Sequence, residues 1–498
     1  MQSLSCTSIS RSVLKFIRSA GTRTLLPLGL LLATIACSGE RTPAEPVVMR
    51  LAFHRDPSRV EGSAPITPAP EVAILDQFGH TVSDATVPVT ITLTPNEQEA
   101  ILTGTTVVTS NAGIATFEDL RVDRPGDEYT LSASAPGLAS ATSEAFQVIL
   151  TFAQLSSGFG TTCGVTVGGA AYCWGRNLFG GIGDGTEMEF PLSPAAVAGR
   201  LDFRAVNVGP DHTCGITTDG TAYCWGSNSS GKLGDATEEK RSTPGRVSGD
   251  LTFASVSAGA DHTCGLAMNG AAYCWGDNSF GQLGNGSSAK STIPTPVAGG
   301  LVFSTVDAGW QHTCGITTTG AAYCWGANAD GQLGDGSVEN RATPAAVSGG
   351  VTFASVDAQE YHSCGISTAG AAYCWGGNNS GQLGDGTKVG KSSPVPVAGN
   401  LEFTTLGGGT FHTCGVTTAG IAYCWGGNAS GQLGDGTTIS RVNPTAVTGG
   451  LSFTTITAGF AHTCGLTTEG AYCWGDNVSG QFGNGSRTKS LTPTRALQ

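Results

Sequence analysis

Hydrophobic and polar residues alternate in short runs along much of this chain of 498 residues. Between residues 87 and 93, every second residue is Val, Ile or Leu, and a proline or threonine separates each pair. A period of two is typical of strands that bury one face. Pro, Gly and Asp residues, which favour turns, lie between such runs. The pattern predicts an all-β protein made of many short strands.

The region 47–149 contains neither cysteine nor tryptophan. Several short strands within about 100 residues predict a β-sandwich. Its strings VAILDQFGHTVSDATVPVTITL and GIATF…EYTLSASAPG resemble bacterial Ig-like domains of the invasin type. The resemblance implies an Ig-like β-sandwich over residues 47–149 that acts as a stalk or spacer.

From about residue 150 to the C-terminus, the chain repeats one pattern seven times. Each copy contains four strand-like runs, for example FSTVDAG, HTCGITT, AAYCWG and TPAAV. Four strands at a fixed period are typical of a propeller blade. The period is 50 or 51 residues, as shown by the first cysteine of each copy: Cys163, Cys214, Cys264, Cys314, Cys364, Cys414 and Cys464.

The copies share the signature H-x-x-x-(I/V/L)-x-x-x-G-x-x-Y-x-W-G-x-N-x-x-G-Q-L-G-x-G, which resembles the regulator of chromosome condensation (RCC1) repeat. The resemblance implies a seven-bladed RCC1-like β-propeller over residues 150–498. Paired cysteines depart from the eukaryotic nuclear pattern and suit an exported relative. Both SEAFQV, before the first copy, and the C-terminal LTPTRAL fit a fourth strand, so the strand that completes the last blade stays open.

The cysteines beyond residue 150 form seven pairs, one in each copy. In CGITTDGTAYC, the dipeptide Asp219-Gly220 predicts a tight turn that places Cys214 and Cys224 opposite each other. Such a disulfide stabilises the fold by roughly 2–3 kcal/mol. The predicted disulfides are Cys163–Cys173, Cys214–Cys224, Cys264–Cys274, Cys314–Cys324, Cys364–Cys374, Cys414–Cys424 and Cys464–Cys473.

A zinc site is the alternative, because His212 and Cys214 would share one face of a strand beside Cys224. The first copy has Thr161 in place of the histidine and still keeps its two cysteines, which favours disulfides. We therefore expect no metal and no cofactor. The histidines are then structural hydrogen-bonding residues or pH sensors. They are His212, His262, His312, His362, His412 and His462.

Two other repeated features favour structure over chemistry. One tryptophan per copy indicates packing between blades rather than a ligand stack. The GQLGDGT loops suit calcium or phosphate, but each has a single carboxylate, and Asn285 and Asn484 replace it in two copies. Turn chemistry is the better interpretation.

Lysines and arginines in the loop before each Thr-Pro are typical either of a basic rim or of solvated loops.

The copies differ in the two residues before the histidine position, in the turn between the first two strand-like runs. Five of the seven turns carry an aromatic residue, where small polar residues are usual. Aromatic anchors with scattered acids on a rigid rim suit a protein-binding surface; alternatively, they only plug the mouth of the propeller. The predicted partner-binding residues are Phe159, Asp211, Asp261, Trp310, Gln311, Glu360, Tyr361, Phe411 and Phe460, with Phe179 and Phe280 from the turns after W-G-x-N.

The N-terminus predicts export. Lys15, Arg18 and Arg23 precede the apolar run LLPLGLLLATIA, which ends at Cys37 and is too short to span a bilayer. TIAC resembles a bacterial lipobox, which implies a signal peptide over 1–36, lipidation of Cys37 and a tether over 37–46. A plain signal peptide is the alternative. We expect an exported lipoprotein of the outer membrane, facing the periplasm or the cell surface.

The net charge of −13 disfavours nucleic acid as a partner. No nucleophile motif, carboxylate pair or phosphate loop predicts an enzyme, so no catalytic residue is assigned. We expect a monomeric, non-enzymatic module that binds a protein or glycan of the cell envelope or exterior and meets the membrane only through its lipid anchor. The alternatives are guanine-nucleotide exchange, as in the nuclear family member, and a hydrolase or lyase in the central channel.

Overall fold

The structure, a computed structural model, describes residues 49–496 except residues 59, 63 and 95–99. Its regular secondary structure consists of strands throughout this part of the chain. No helix among the described residues is long and apolar enough to cross a membrane. The predicted signal peptide, the lipidation at Cys37 and the tether lie outside the described residues. The expectation of an all-β chain is confirmed for the described part.

Twelve short strands form the N-terminal region and surround one hydrophobic core. The strand Pro88–Leu93 buries Val89 and Ile91 and leaves Pro88 and Thr92 exposed, in line with the alternation in the sequence. Val89 and Ile91 share the core with Val72 and Ile74 of the strand Glu71–Leu75. The strands are β1 Arg50–Arg55, β2 Val60–Glu61, β3 Glu71–Leu75, β4 Pro88–Leu93, β5 Leu102–Thr103, β6 Val107–Thr109, β7 Ile114–Thr116, β8 Arg121–Val122, β9 Gly126–Tyr129, β10 Leu131–Ser134, β11 Ala141–Thr142 and β12 Phe146–Ile149.

These twelve strands pair into four sheets. The largest has the order β11-β10-β4-β6, and two three-stranded sheets have the orders β1-β3-β7 and β2-β12-β9. The remaining pair is β5-β8. Strand β12, which contains the second half of the SEAFQV string, therefore belongs to the N-terminal region, where it runs parallel to β2 and antiparallel to β9.

The repeats fold into seven four-stranded antiparallel sheets, each from one continuous stretch of chain, which we number 1 to 7. The first strands are Phe152–Ser157, Phe203–Val208, Phe253–Ala258, Phe303–Ala308, Phe353–Ala358, Phe403–Gly408 and Phe453–Ala458. The second strands are Thr161–Thr166, His212–Thr217, His262–Ala267, His312–Thr317, His362–Ser367, His412–Thr417 and His462–Thr467.

The outer half of each sheet consists of a third and a fourth strand. The third strands are Ala171–Gly175, Ala222–Gly226, Ala272–Gly276, Ala322–Gly326, Ala372–Gly376, Ala422–Gly426 and Gly470–Gly475. The fourth strands are Ala195–Ala196, Arg241–Arg246, Ser291–Pro296, Arg341–Ala346, Lys391–Pro396, Arg441–Ala446 and Ser490–Arg495. From sheet 2 onward the fourth strand contains a proline, which an edge strand tolerates and which discourages pairing with another chain.

Sheet 7 lies against sheet 1, so the seven sheets close on themselves. The Ser157 amide donates to Thr457 Oγ1 at 3.1 Å across this contact. The C-terminal strand Ser490–Arg495 pairs with the third strand of sheet 7. This answers the question that the sequence left open, because LTPTRAL supplies the fourth strand of the last sheet and SEAFQV does not. The closure uses side-chain, packing and single backbone contacts, such as the Phe460 amide donating to the Gly158 carbonyl oxygen at 3.2 Å, rather than a sheet shared by both ends of the chain.

Candidate functional site

The contacts between neighbouring sheets repeat one hydrogen-bonded unit. Between sheets 3 and 4, the Thr313 hydroxyl donates to the Gln282 carbonyl oxygen at 2.9 Å, and Trp325 Nε1 donates to the same oxygen at 2.9 Å. The proton of the Thr313 hydroxyl is already donated to Gln282. The hydroxyl oxygen therefore accepts a hydrogen bond from His262 Nε2, 2.9 Å away. This assigns the proton of the neutral histidine to Nε2.

The six histidines all occupy this position, and their donors reach a Thr or Ser of the following sheet at 2.8–3.0 Å. All six are buried, as the sequence predicts. Burial lowers the pKa of His262 and His462 to about 4 and those of His312, His362 and His412 to about 3, and it holds that of His212 well below its ordinary value. The imidazole rings are therefore neutral in ordinary buffers, and their Nε2 atoms hold neighbouring sheets together.

All fourteen cysteines beyond residue 150 are paired as the hairpin argument predicts. Cys214 and Cys224, for example, lie directly opposite each other on the second and third strands of sheet 2. A disulfide leaves no thiolate to bind zinc, so the cysteines stabilise the hairpins. No group of three His, Cys, Asp or Glu side chains within the described residues is placed to hold a metal ion.

The carboxylates of the GQLGDGT loops are occupied by turn hydrogen bonds. Asp335 Oδ1 accepts the amide and hydroxyl of Ser337 at 2.9 and 2.7 Å. Its other oxygen accepts Arg341 Nε at 2.9 Å. Arg241 and Arg441 form the same pair with the loop aspartate of their own sheets. These arginines are therefore partnered within their own loops rather than free to form a basic rim.

The turns that differ between copies lie together at one end of the sheets, which we call the turn face. It comprises the turns between first and second strands and the loops between third and fourth strands. The two sets are joined by hydrogen bonds, such as Ser227 N to Asp211 O at 2.9 Å and Gly377 N to Tyr361 O at 2.8 Å. The turns after W-G-x-N thus share the turn face. There Phe179 and Phe280 are 38% and 37% exposed.

A cavity of about 270 Å³ opens at the centre of the turn face and is lined by the first strands and the first residue of every variable turn. Of the predicted binding residues, Phe159, Trp310, Glu360 and Phe460 line it. The others lie outside the lining: Asp211, Asp261, Gln311, Tyr361, Phe411, Phe179 and Phe280. The two residues of each variable turn therefore have different environments, the first at the cavity and the second on the surrounding face.

Six of the seven first strands are followed by a glycine at the mouth of this cavity. A Cβ atom on Gly309 would lie 2.4 Å from the Gln359 carbonyl oxygen of the next sheet. At the closing contact, a Cβ atom on Gly459 would lie 2.1 Å from the Gly158 carbonyl oxygen. These distances are too short for any side chain, so glycine lets neighbouring sheets meet here. Gln359 in sheet 5 is the exception.

Four of the predicted aromatic residues form a continuous row, which we call the aromatic arc: Tyr361, Phe411, Phe460 and Phe159. Tyr361 and Phe411 are stacked with centroids 5.8 Å apart, and Phe411 meets Phe460 edge to face at 6.4 Å. Phe460 stacks on Phe159 at 4.2 Å across the closing contact. The arc thus runs from sheet 5 through sheets 6 and 7 to sheet 1. Such pairs contribute about 0.5–1.5 kcal/mol each beyond their burial.

Ion pairs occupy the turns of sheets 2 and 3 instead. Arg176 Nη1 of sheet 1 donates to Asp211 Oδ1 at 2.7 Å, and its guanidinium lies 5.1 Å from the Phe159 ring centroid. Lys232 Nζ of sheet 2 donates to Asp261 Oδ1 at 2.9 Å and to the Ala260 carbonyl oxygen at 3.0 Å. The Lys232 side chain is only 2% exposed. Asp211 and Asp261, predicted as binding residues, thus connect neighbouring sheets.

Sequence reasoning missed two acids in the cavity, Asp307 and Asp357, at the fifth position of their first strands. Asp307 accepts Ser257 Oγ and the Ala358 amide, each at 2.7 Å, and Asp357 accepts the Gly408 amide at 2.6 Å. Burial raises the pKa of Asp307, and burial together with the Asp307 carboxylate raises the pKa of Asp357 well above its usual range.

A signal for these acids was present in the sequence. The fifth position of the first strand is Ser, Asn, Ser, Asp, Asp, Gly and Thr in sheets 1 to 7. Comparison of the copies at this position, rather than only at the variable turns, shows two adjacent acids. The same comparison finds Lys232 at a glutamine position of the repeat, but only the structure shows which neighbour its side chain reaches.

Sheets of four antiparallel strands, formed in chain order and closed from last to first, define the β-propeller class. The model of the RCC1-like domain matches residues 76–402, which is more than half of the chain. Models of the regulator of chromosome condensation (RCC1) repeat match residues 403–432, 453–481 and 419–466. The chain therefore belongs to the RCC1-like domain family.

Similar proteins agree with this assignment. The human probable E3 ubiquitin-protein ligase HERC4 is 30% identical over 90 residues, which are 18% of this chain and 8% of HERC4. The Arabidopsis thaliana ultraviolet-B receptor UVR8 is 35% identical over 83 residues, 16% of this chain and 19% of UVR8. The chain thus spans less than a fifth of the length of these curated relatives.

Solved structures show a likeness of fold over about two thirds of the chain. Human WBSCR16 has a TM-score of 0.61 at 21% identity, covering 66% of this chain and 95% of that protein. Prp20p from Saccharomyces cerevisiae has a TM-score of 0.56 at 21% identity, covering 64% of this chain and 83% of that protein. At this identity the likeness concerns the fold alone.

Proposed function

We propose that this chain is an exported, non-enzymatic binding protein whose closed seven-bladed propeller presents the turn face to a protein partner. The aromatic arc is the observation that carries the proposal. Its four rings contact one another across four sheets, and Phe411 is 38% exposed. A row of aromatic side chains on a rigid support is what a binding hot spot requires.

The support beneath the arc suits this role because it does not depend on the variable turns. Disulfides fix each hairpin, and the His, Thr and Trp hydrogen bonds join neighbouring sheets below the face. Residues in the turns can therefore change without loss of the fold, apart from Asp211 and Asp261, which pair with cations of the preceding sheet. Rigid presentation also reduces the entropy that side chains lose on binding.

The N-terminal segments complete the proposal. A signal peptide over 1–36, a lipidated Cys37 and the tether over 37–46 would anchor the chain to the cell envelope, with an Ig-like spacer over 47–149. One feature of the N-terminal region supports an Ig-like relationship. The buried Tyr129 hydroxyl donates back to the Arg124 carbonyl oxygen at 3.2 Å, as the tyrosine corner of Ig-like sandwiches does.

Capture from an envelope extract tests the proposal when two triple variants are compared. The test variant replaces Trp310, Tyr361 and Phe411 with alanine. The control replaces Val167, Met268 and Ile421, which are 65%, 65% and 44% exposed in hairpin turns at the opposite end of the sheets. A partner bound by the wild type and by the control, and lost from the test variant with an unchanged melting profile, supports the turn face. Equal capture by all three proteins contradicts it, and a glycan partner is recognised by its resistance to protease.

The structures and relatives above suggest no second function. The Prp20p structure is described with its binding to Gsp1p and histones. At 21% identity, that description concerns Prp20p. The ligases and the receptor match this chain over short segments only.

A further inference from the structure

The cavity at the centre of the turn face has an acidic wall. Asp307, Asp357 and Glu360 all line it, on sheets 4 and 5. Its lining within the described residues includes no Lys, Arg or His. Elsewhere on this face the acids of the variable turns do have cations, since Asp211 pairs with Arg176 and Asp261 with Lys232. The cavity therefore holds carboxylates that form no ion pair with the Lys, Arg and His side chains that the structure describes.

The same wall is where the repeat departs from its own pattern. Gln359 replaces the glycine that follows the first strand in the other sheets. Its side chain occupies the space that a Cβ atom on Gly408 would fill, at 2.4 Å from Gln359 Cγ. Gly408 in turn stands where the other sheets have Ala, Ser or Val. Paired departures of this kind indicate that the wall between sheets 4 and 6 has a shape and charge of its own.

The carboxylates on this wall have acceptor capacity left. Each oxygen of Asp307 accepts one hydrogen bond, although a carboxylate oxygen has two lone pairs. The Glu360 carboxylate interacts with the Tyr361 hydroxyl and raises the pKa of Tyr361 to about 12. Its Oε2 atom is nevertheless buried and accepts no hydrogen bond from the described residues. A buried acceptor without a donor is unfavourable, and a ligand that supplies N–H donors would satisfy it.

Aromatic rings at the mouth favour an organic cation. Trp310, Phe159 and Phe460 line the cavity together with the acids. The face of an aromatic ring attracts ammonium and guanidinium groups. This protein already shows the contact, because the Arg176 guanidinium lies over Phe159. The volume of about 270 Å³ also exceeds what a single metal ion occupies.

We propose that this cavity is an anchor pocket for an ammonium or guanidinium group carried by a lysine or arginine side chain of the partner protein. The carboxylates of Asp307, Asp357 and Glu360 accept its N–H donors, and Trp310 flanks its apolar stem. The source of the side chain rests on the proposed function, in which a protein occupies the turn face. The aromatic arc then provides contact area, while the pocket selects for positive charge.

Titration calorimetry with small probes tests this. The probes are an acetylated and amidated Gly-Arg-Gly peptide, its lysine and citrulline counterparts, putrescine and calcium chloride. Trp310 gives a second readout, because the other seven tryptophans are fully buried while Trp310 is partly exposed. We expect the arginine and lysine peptides to bind and to change the fluorescence of Trp310, and the neutral citrulline peptide to bind at least tenfold more weakly.

The test variant is Asp307→Asn with Asp357→Asn. Asparagine keeps an oxygen for the amide of the next sheet, as Asn207 Oδ1 does for the Ala258 amide at 2.7 Å, so the fold should be preserved. The control is Asp277→Asn with Asp476→Asn, which removes the same charge from the turn face outside the cavity lining. We expect at least a tenfold loss of arginine-peptide affinity in the test variant and less than a twofold loss in the control.

Four results would overturn the proposal: equal binding of the arginine and citrulline peptides, equal effects of the two variants, binding of calcium alone, or putrescine binding more tightly than the peptides. Failure here is distinguishable from failure of the proposed function. If no peptide binds while the variant with Trp310, Tyr361 and Phe411 replaced by alanine still loses its partner, only the assignment of the pocket is contradicted. If the peptides bind and that variant keeps its partner, the role of the turn face falls, and the cavity remains a cation pocket.

Discussion

The contacts between sheets and the turn face differ in how closely the seven copies agree. Between sheets, a buried tryptophan donates to a backbone carbonyl oxygen of the preceding sheet in every copy, at 2.9 Å. On the turn face no two copies carry the same pair of residues. Agreement thus marks what holds the sheets together, and disagreement marks the surface where each sheet contributes something of its own.

Acid should affect the contacts between sheets first, and this is the largest effect we expect. The pKa values of five of the buried histidines lie near 3 to 4, and that of His212 is also lowered, against 6.5 in an unfolded chain. Below pH 6.5 the unfolded chain therefore binds protons that the folded chain does not. The histidines do not reduce the free energy of unfolding above pH 6.5. Toward pH 4 they reduce it by up to about 1.4 kcal/mol per pH unit for each histidine.

Asp307 and Asp357 act in the opposite sense, because their pKa values are raised and the folded chain takes up their protons first. The six histidines outnumber these two carboxylates. The free energy of unfolding should therefore decrease as the pH falls. Urea unfolding at pH 7, 6 and 5 measures the slope. A free energy of unfolding that stays constant over this range would contradict the neutral, buried histidines.

Substitution of two tryptophans of sheet 4 compares the contacts between sheets with the turn face. Trp325 is fully buried between sheets, whereas Trp310 is partly exposed at the cavity. We expect Trp325→Ala to reduce the free energy of unfolding by about 3–5 kcal/mol, and Trp310→Ala by about 1 kcal/mol. At a temperature where both variants are folded, Trp310→Ala should reduce capture of the partner more than Trp325→Ala does. Similar destabilisation by both would mean that Trp310 belongs to the structural core.

The smallest expected effect concerns the ion pairs on the turn face. Asp261→Asn removes the carboxylate partner of the buried Lys232 and should cost about 1–3 kcal/mol. Asp277→Asn, on the same face, leaves no buried cation without a partner and should cost less than about 0.5 kcal/mol. Thermal unfolding of both variants checks the difference. If the two are equally stable, Asp261 is available for binding rather than committed to the contact between sheets.

Local features of the sequence predicted much of the structure. The strands of sheet 4 begin and end within three residues of the runs FSTVDAG, HTCGITT, AAYCWG and TPAAV, because alternation and turn residues define strand ends locally. The pairing of Cys214 with Cys224 followed from one hairpin turn. The variable turns also lie on one face, since each joins the same two strands of its sheet.

Features that depend on neighbouring sheets were beyond this reasoning. Phe159 and Phe460 are about 300 residues apart in the chain and stack only because sheet 7 meets sheet 1. Asp307 and Asp357 look like ordinary surface residues of two strands until closure of the sheets brings them to one cavity. Lys232 occupies a glutamine position of the repeat, and its partner lies on the next sheet. Each case needs the spatial order of the sheets, which no single repeat contains.

Closure without a shared strand has a consequence for how such a protein changes over time. Each sheet takes all its strands from one uninterrupted stretch of about 50 residues, as the closing sheet 7 also does. A duplication or deletion of one genetic unit therefore adds or removes a whole sheet and leaves no strand without its partner. A duplicated sheet already contains its disulfide and its tryptophan. Mutations can then accumulate in the turns that contact other molecules.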